Sequence, residues 1–245
     1  MSTYNLSKIV LCATLLYMSF YKLFHIQENI RAMLLPCFTS VYGHAETEFT
    51  IKKSRFITVV AEISTEEEAR SVIGKIRKQY WDARHNCFAY RIGNTGCIQK
   101  YDDDGEPAGT AGRPILDVLM KSGITNTVIV VTRYFGGIKL GGGGLIRAYS
   151  HAAALGIEAA QIADYFSFVI AEIEFGYAFI SSLERILPSL KVRIVDRIFS
   201  DTVRFRLEIP QEKSAQVQSD IADLTNGAAI FKKDGKAWVP IMRER

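Results

Sequence analysis

The chain has 245 residues, with 30 Lys and Arg against 26 Asp and Glu, a formal net charge of +4. Hydrophobic residues make up 48% and charged residues 23%, which excludes a disordered or collagen-like chain. The length holds one large domain or two small ones with a self-sufficient core, and so small a net charge excludes a polycationic coat for nucleic acid.

Residues 9–21 (IVLCATLLYMSFY) run uncharged between Lys8 and Lys22, short of the ~20 residues of a membrane-spanning helix. Three readings stay open: a signal sequence or anchor, a packed or interfacial helix, and an extension ahead of a working start at Met33. No membrane partner is expected unless this run is an anchor. From Glu46, strands and helices alternate. Phe49–Ile63 is rich in β-branched and aromatic residues, with a polar KKSR break in its middle. Ser64 and Thr65 ahead of Glu66, Glu67 and Glu68 start a helix to about Gln79, burying Ala69, Val72, Ile73 and Ile76. Cys87–Ile92 and Cys97–Tyr101 are strands, Asp102–Pro114 is a loop, and Ile115–Lys121 a short helix. Thr127–Tyr134 (TVIVVTRY) is a continuous apolar strand that must be buried on both faces. After a glycine-rich stretch, Leu145–Ala163 is an Ala-rich helix.

The remainder reads as strand Phe166–Phe175, helix Tyr177–Leu187 stopped by Pro188, strands Val192–Phe199 and Thr202–Ile209, helix Gln211–Leu224 and strand Ala228–Val239. That order, β-α-β-β-α-β, is the ferredoxin-like split βαβ. The expected organisation is an α+β chain with an extension (1–32), a first domain (33–163) and a ferredoxin-like domain (164–245). The cysteines Cys12, Cys37, Cys87 and Cys97 form no CxxC pair and fit reduced thiols in a cytoplasmic protein.

The segment Arg133–Tyr149 (RYFGGIKLGGGGLIRAY) holds six glycines between Gly136 and Gly144, after a buried strand and ahead of a helix. Glycines let a backbone approach a ligand closely, and a helix start offers free N–H groups to an anion. Arg133, Lys139 and Arg147 add positive charge. The run lacks the Gly-Lys-Ser/Thr end of a P-loop and is no Rossmann turn, so phosphate contact and a tight strand-to-helix connection both fit it. The acids Asp102, Asp103, Asp104 and Glu106 do not alternate as in an EF-hand and read as a capped, solvated turn. Lys52, Lys53 and Arg55 form either a binding patch or an edge that discourages strand pairing. His85 with Cys87 and Cys97 matches no zinc module. No catalytic residue, metal or cofactor is expected.

KKSRFI (Lys52–Ile57), ARHNCFAYRIG (Ala83–Gly93), DDGEPAGTAGRP (Asp103–Pro114) and VVTRYFGGIKLGGGGLIRAY (Val130–Tyr149) together resemble the Impact family in its bacterial two-domain form. The resemblance implies a first domain like the second domain of ribosomal protein S5, as in the fourth domain of elongation factor G. It implies a second domain like that factor's fifth, and a setting in translation with RNA or the ribosome as partner. Arg133, Lys139 and Arg147 would then contact phosphates, with the N–H groups of Gly141, Gly142, Gly143 and Gly144 nearby. Tyr134 and Tyr149 would stack on a base or pack in the core. Lys53, Arg55 and His85 would extend the patch, and Asp103 and Glu106 would order the loops by pairing with these bases. The leading expectation is a non-enzymatic RNA- or ribosome-binding protein. Its rivals are a metal-dependent hydrolase or nuclease using Asp103, Glu106 and His85, and a protein-interaction module in a stress response.

Overall fold

The computed structural model describes residues 35–244. The apolar run at 9–21 and Met33 lie outside the described residues. The chain divides into two compact units, one of Cys37–Tyr165 with the last residues from Met242, the other of Phe166–Ile241. The architecture is α+β.

The first unit is built on strands β2 (His44–Ile51), β3 (Ser54–Glu62), β4 (His85–Ile92), β5 (Ile98–Asp102) and β6 (Thr127–Tyr134). They form an antiparallel sheet in the order β2-β3-β6-β4-β5. The apolar run of β6 is central, and seven of its eight residues are buried, as its sequence requires. One face packs on helix α1 (Glu66–Gln79), where Val128 and Val130 meet Ala69, Ile73 and Ile76. The other packs on helices α2 (Gly112–Lys121) and α3 (Gly142–Ala159), where Ile129 and Val131 meet Ile115, Leu119, Leu145 and Ala152. Strand β1 (Phe38–Val41) pairs with the first residues of β7 (Ile162–Phe175). Arg243 ties these together by donating to Asp164 and Thr39.

Several boundaries differ from the sequence reading. The KKSR break is a hairpin: β2 and β3 meet at Lys52 and Lys53, whose φ values of 45° and 62° meet the type I′ condition. The two lysines are therefore a turn and not an edge. Helix α3 starts at Gly142, not Leu145, and ends at Ala159, because residues from Ile162 are recruited into β7. Helix α2 starts at Gly112 rather than Ile115 because Asp103 caps it from the preceding loop.

In the second unit a 3-10 turn (Tyr177–Phe179) leads into helix α4 (Ile180–Ser189), with Pro188 inside its last turn. Strands β8 (Arg193–Phe199) and β9 (Val203–Pro210), helix α5 (Ser214–Leu224) and strand β10 (Ile230–Met242) complete it. β10 pairs with β7, β7 with β9, and β9 with β8. Leu183, Leu187, Val217 and Ile221 cover Ile173, Phe205 and Leu207. Among the described residues no helix is long and apolar enough to cross a membrane.

Candidate phosphate-binding cleft

The site lies at the carboxyl end of β6, where the chain leaves the sheet. Arg133 stands there between two neighbours in register, Phe56 of β3 and His85 of β4. Arg133 is only 6% exposed. A buried guanidinium must be neutralised and hydrogen-bonded. Glu106, itself buried, accepts from Nη1 at 2.6 Å. The same Glu106 oxygen accepts from the Tyr149 hydroxyl at 2.8 Å. The Arg133 guanidinium also lies over the Phe56 ring at 5.7 Å and the Phe135 ring at 5.6 Å. Its Nε is buried with no hydrogen-bond partner among the described residues.

Beyond Arg133 the chain makes the turn that opens α3. Gly136 sits so tightly on the Lys52–Lys53 hairpin that a Cβ there would fall 2.0 Å from the Lys53 carbonyl carbon, so only glycine fits. The α3 N-cap is Gly141, with no side-chain cap and no acid in the first turn. The first N–H groups of a helix have no partner inside it. Gly142 is different from Gly136, because a Cβ there would meet nothing within 4 Å. Neither crowding nor a positive φ demands glycine at that position; an approaching ligand would.

These elements enclose a cavity of about 420 Å³. Arg84, Arg133, Lys139, Gly141 and Gly142 line it, together with His85, Glu106 and Phe135. Lys139 and Arg84 have no hydrogen bond or ion pair among the described residues. The cavity therefore combines three cations, one helix N-terminus and one carboxylate already engaged.

Of the residues singled out from sequence, Arg133, Lys139, His85, Gly141, Gly142 and Glu106 are brought together here. Arg147 and Gly144 line a separate cavity of about 310 Å³ with Lys52 and His151. Gly143 lies between them, a Cβ there coming within 3.6 Å of Arg147 Nη1. Tyr149 is fully buried, so it packs in the core and offers no face to a base; burial also pushes its hydroxyl well above the usual range. Tyr134 donates to Asp82 at 2.7 Å and is pushed up to about 12 by its burial and that carboxylate. Arg55 is committed to Glu48 through two bonds of 2.7 Å. Arg55, Lys53 and Tyr134 line neither cavity. Phe135 and Arg84 do line the cleft and were not singled out. Phe135 passes in the sequence for one more strand-end aromatic.

The acidic loop has a structural task for each carboxylate. Asp102 accepts from the Asp104 N–H, and Asp104 accepts from the Asn86 N–H and from Arg77. Asp103 accepts the N–H groups of Gly109, Ala111 and Gly112, so it orders the loop through backbone and not through a base. Glu106 does pair with a base, Arg133. His85 Nδ1 meets the Asp104 carbonyl at 2.8 Å and must donate, since a carbonyl only accepts. Cys87 is buried, and burial pushes its thiol far up, away from nucleophilic use. Among the described residues no three His, Cys, Asp or Glu side chains converge as metal ligands.

Residues 52–157 match the model of the Impact N-terminal domain. The IMPACT family member YvyE of Bacillus subtilis (strain 168) is 40% identical over 200 residues, 82% of this chain and 92% of that protein. The chain belongs to the IMPACT family. The family member YigZ of Escherichia coli (strain K12) is 34% identical over 180 residues, 73% of this chain and 88% of its own length. Every lining residue of the cleft falls inside the Impact N-terminal match. Residues 173–228 match a domain of unknown function, DUF1949. The crystal structure of a hypothetical protein superposes with a TM-score of 0.54 at 31% identity, covering 81% of this chain and 98% of that one. The IMPACT assignment thus spans both units.

Proposed function

We propose that this IMPACT family chain is a non-enzymatic, cytoplasmic protein of translation that binds RNA, free or on the ribosome, by seating a phosphate in the cleft. The observation that carries the reading is Arg133, buried at the cleft wall and held by Glu106, in the same cavity as a helix N-terminus with no side-chain cap among the described residues. A phosphodiester offers only acceptors, and in the cleft it would meet the Arg133 guanidinium, the first N–H groups of α3 and the Lys139 ammonium together. The strand order β10-β7-β9-β8 supports reading the second unit as ferredoxin-like, resembling the fifth domain of elongation factor G. We read the first unit as resembling the second domain of ribosomal protein S5, which belongs to the same translational setting. The hydrolase reading finds no support, because Asp103, Glu106 and His85 are each engaged in holding the loop and Arg133.

The test is binding of the full chain to a short labelled single-stranded RNA and its co-sedimentation with ribosomes. Lys139 is exposed and outside the buried pair, so Lys139→Ala probes the cleft without touching the core. One charge-assisted hydrogen bond is worth about 1.5 kcal/mol, so a loss of about tenfold is expected. Arg133→Gln is expected to lose more, with folding checked by circular dichroism. Unchanged binding in both variants overturns the proposal.

A further inference from the structure

We infer that the cleft takes one unpaired nucleotide, its phosphate on the Gly141–Gly142 helix start and its base on Phe135; this rests on the phosphate reading above. The lining of the cleft is of two kinds. Arg133, Lys139 and the first N–H groups of α3 suit an anion. Phe135, Leu140, Leu145 and Pro107 are the apolar part of the same lining. A bare phosphate or a sugar phosphate would leave that apolar part unused. A ligand joining a flat apolar ring to a phosphate fills both.

Phe135 is 48% exposed, although the strand it follows is almost wholly buried. The Arg133 guanidinium lies over its ring at 5.6 Å, which holds the ring in place beside a cation of the cleft. An open, fixed aromatic ring next to a phosphate subsite is the element on which nucleic-acid bases stack, and it is tolerant of sequence because every base has a π-face. The volume of about 420 Å³ lies within the range of small-ligand sites, and a duplex cannot bring a base into it without unstacking. The ligand class is therefore a single-stranded or terminal nucleotide, and not a double helix read along its backbone.

The test compares adenosine 5′-monophosphate, ribose 5-phosphate and inorganic phosphate by calorimetry on the full chain, with Phe135→Ala and Phe135→Trp beside wild type. Stacking of one base predicts about tenfold tighter binding of the nucleotide than of ribose 5-phosphate. Phe135→Ala is expected to bring that ratio to about one, and Phe135→Trp to keep it. If wild type binds all three equally, the base subsite is refuted while the phosphate reading stands. The same follows if the ratio survives Phe135→Ala, or if single-stranded RNA binds and the mononucleotide does not. If neither the phosphates nor RNA bind, both inferences fall.

Discussion

Glu106 places one carboxylate oxygen on two donors, the guanidinium of Arg133 and the hydroxyl of Tyr149. Both donors are buried, so the carboxylate fixes the cation that faces the cleft and closes the core behind it. Removing one partner of a buried ion pair leaves an uncompensated charge, at a cost of about 3–5 kcal/mol. Glu106→Ala is therefore expected to lose about 3 kcal/mol of stability in urea titration. Glu106→Gln keeps an acceptor for one donor and removes the negative charge from the cleft. It is expected to lose less stability and to bind inorganic phosphate more tightly than wild type. A Glu106→Gln protein that binds phosphate more weakly would show that the carboxylate assists the anion rather than competing with it. The two residues lie 27 apart in the chain. The family resemblance implied that Glu106 pairs with a base; which base was not legible, because it depends on His85 and Asn86 of β4 holding the acidic loop at the end of β6.

Helix α3 shows what a local reading of sequence can and cannot see. Glycine disfavours helix by about 1 kcal/mol, so the pattern places the start at Leu145, yet Gly142, Gly143 and Gly144 are helical. Packing of Leu145, Ala148 and Ala152 against the sheet overrides the propensity. The β2–β3 hairpin was hidden for a similar reason, since Lys52 and Lys53 adopt positive φ without the Asn or Gly that usually announces it. The α2 start was hidden because its cap, Asp103, stands nine residues before Gly112. Strand β6 and helix α1 were legible, because a continuous apolar run and a Thr65 cap with three acids carry their own signals. Within the cleft, the glycine run and its bases were legible as a motif. Arg147 was misplaced because five residues of helix turn it roughly 140° from Gly142. The same helix start yields a prediction. Gly142 has free space and no conformational need for glycine, so Gly142→Ala is expected to raise stability by about 0.5–1 kcal/mol. The added methyl group enters the space of the phosphate, so affinity for inorganic phosphate is expected to fall. Thermal unfolding and calorimetry on one preparation separate the two effects. A variant that is stabilised and still binds phosphate as wild type would move the anion away from Gly142.

For the whole molecule, the formal charge of +4 understates how local the available charge is. Arg55, Arg77, Arg113, Arg193, Arg197 and Arg243 are each paired with a carboxylate at 3.1 Å or closer. Residues 163–245 carry 12 bases and 12 acids, so that part of the chain adds no net attraction for a polyanion. The bases lining the cleft are Arg84, Arg133 and Lys139. Each phosphate neutralised on a single strand contributes about −0.7 to the slope of log affinity against log salt. One phosphate seated in the cleft gives a slope of about −0.7, far shallower than that of a protein coating a nucleic acid with a broad basic face. Anisotropy titrations of the full chain with single-stranded RNA between about 50 and 200 mM salt measure it directly. A slope near −0.7 that flattens in Lys139→Ala assigns the electrostatics to the cleft. A slope steeper than about −5, unmoved by Lys139→Ala, would place the RNA on another surface, because three cations cannot release so many counterions.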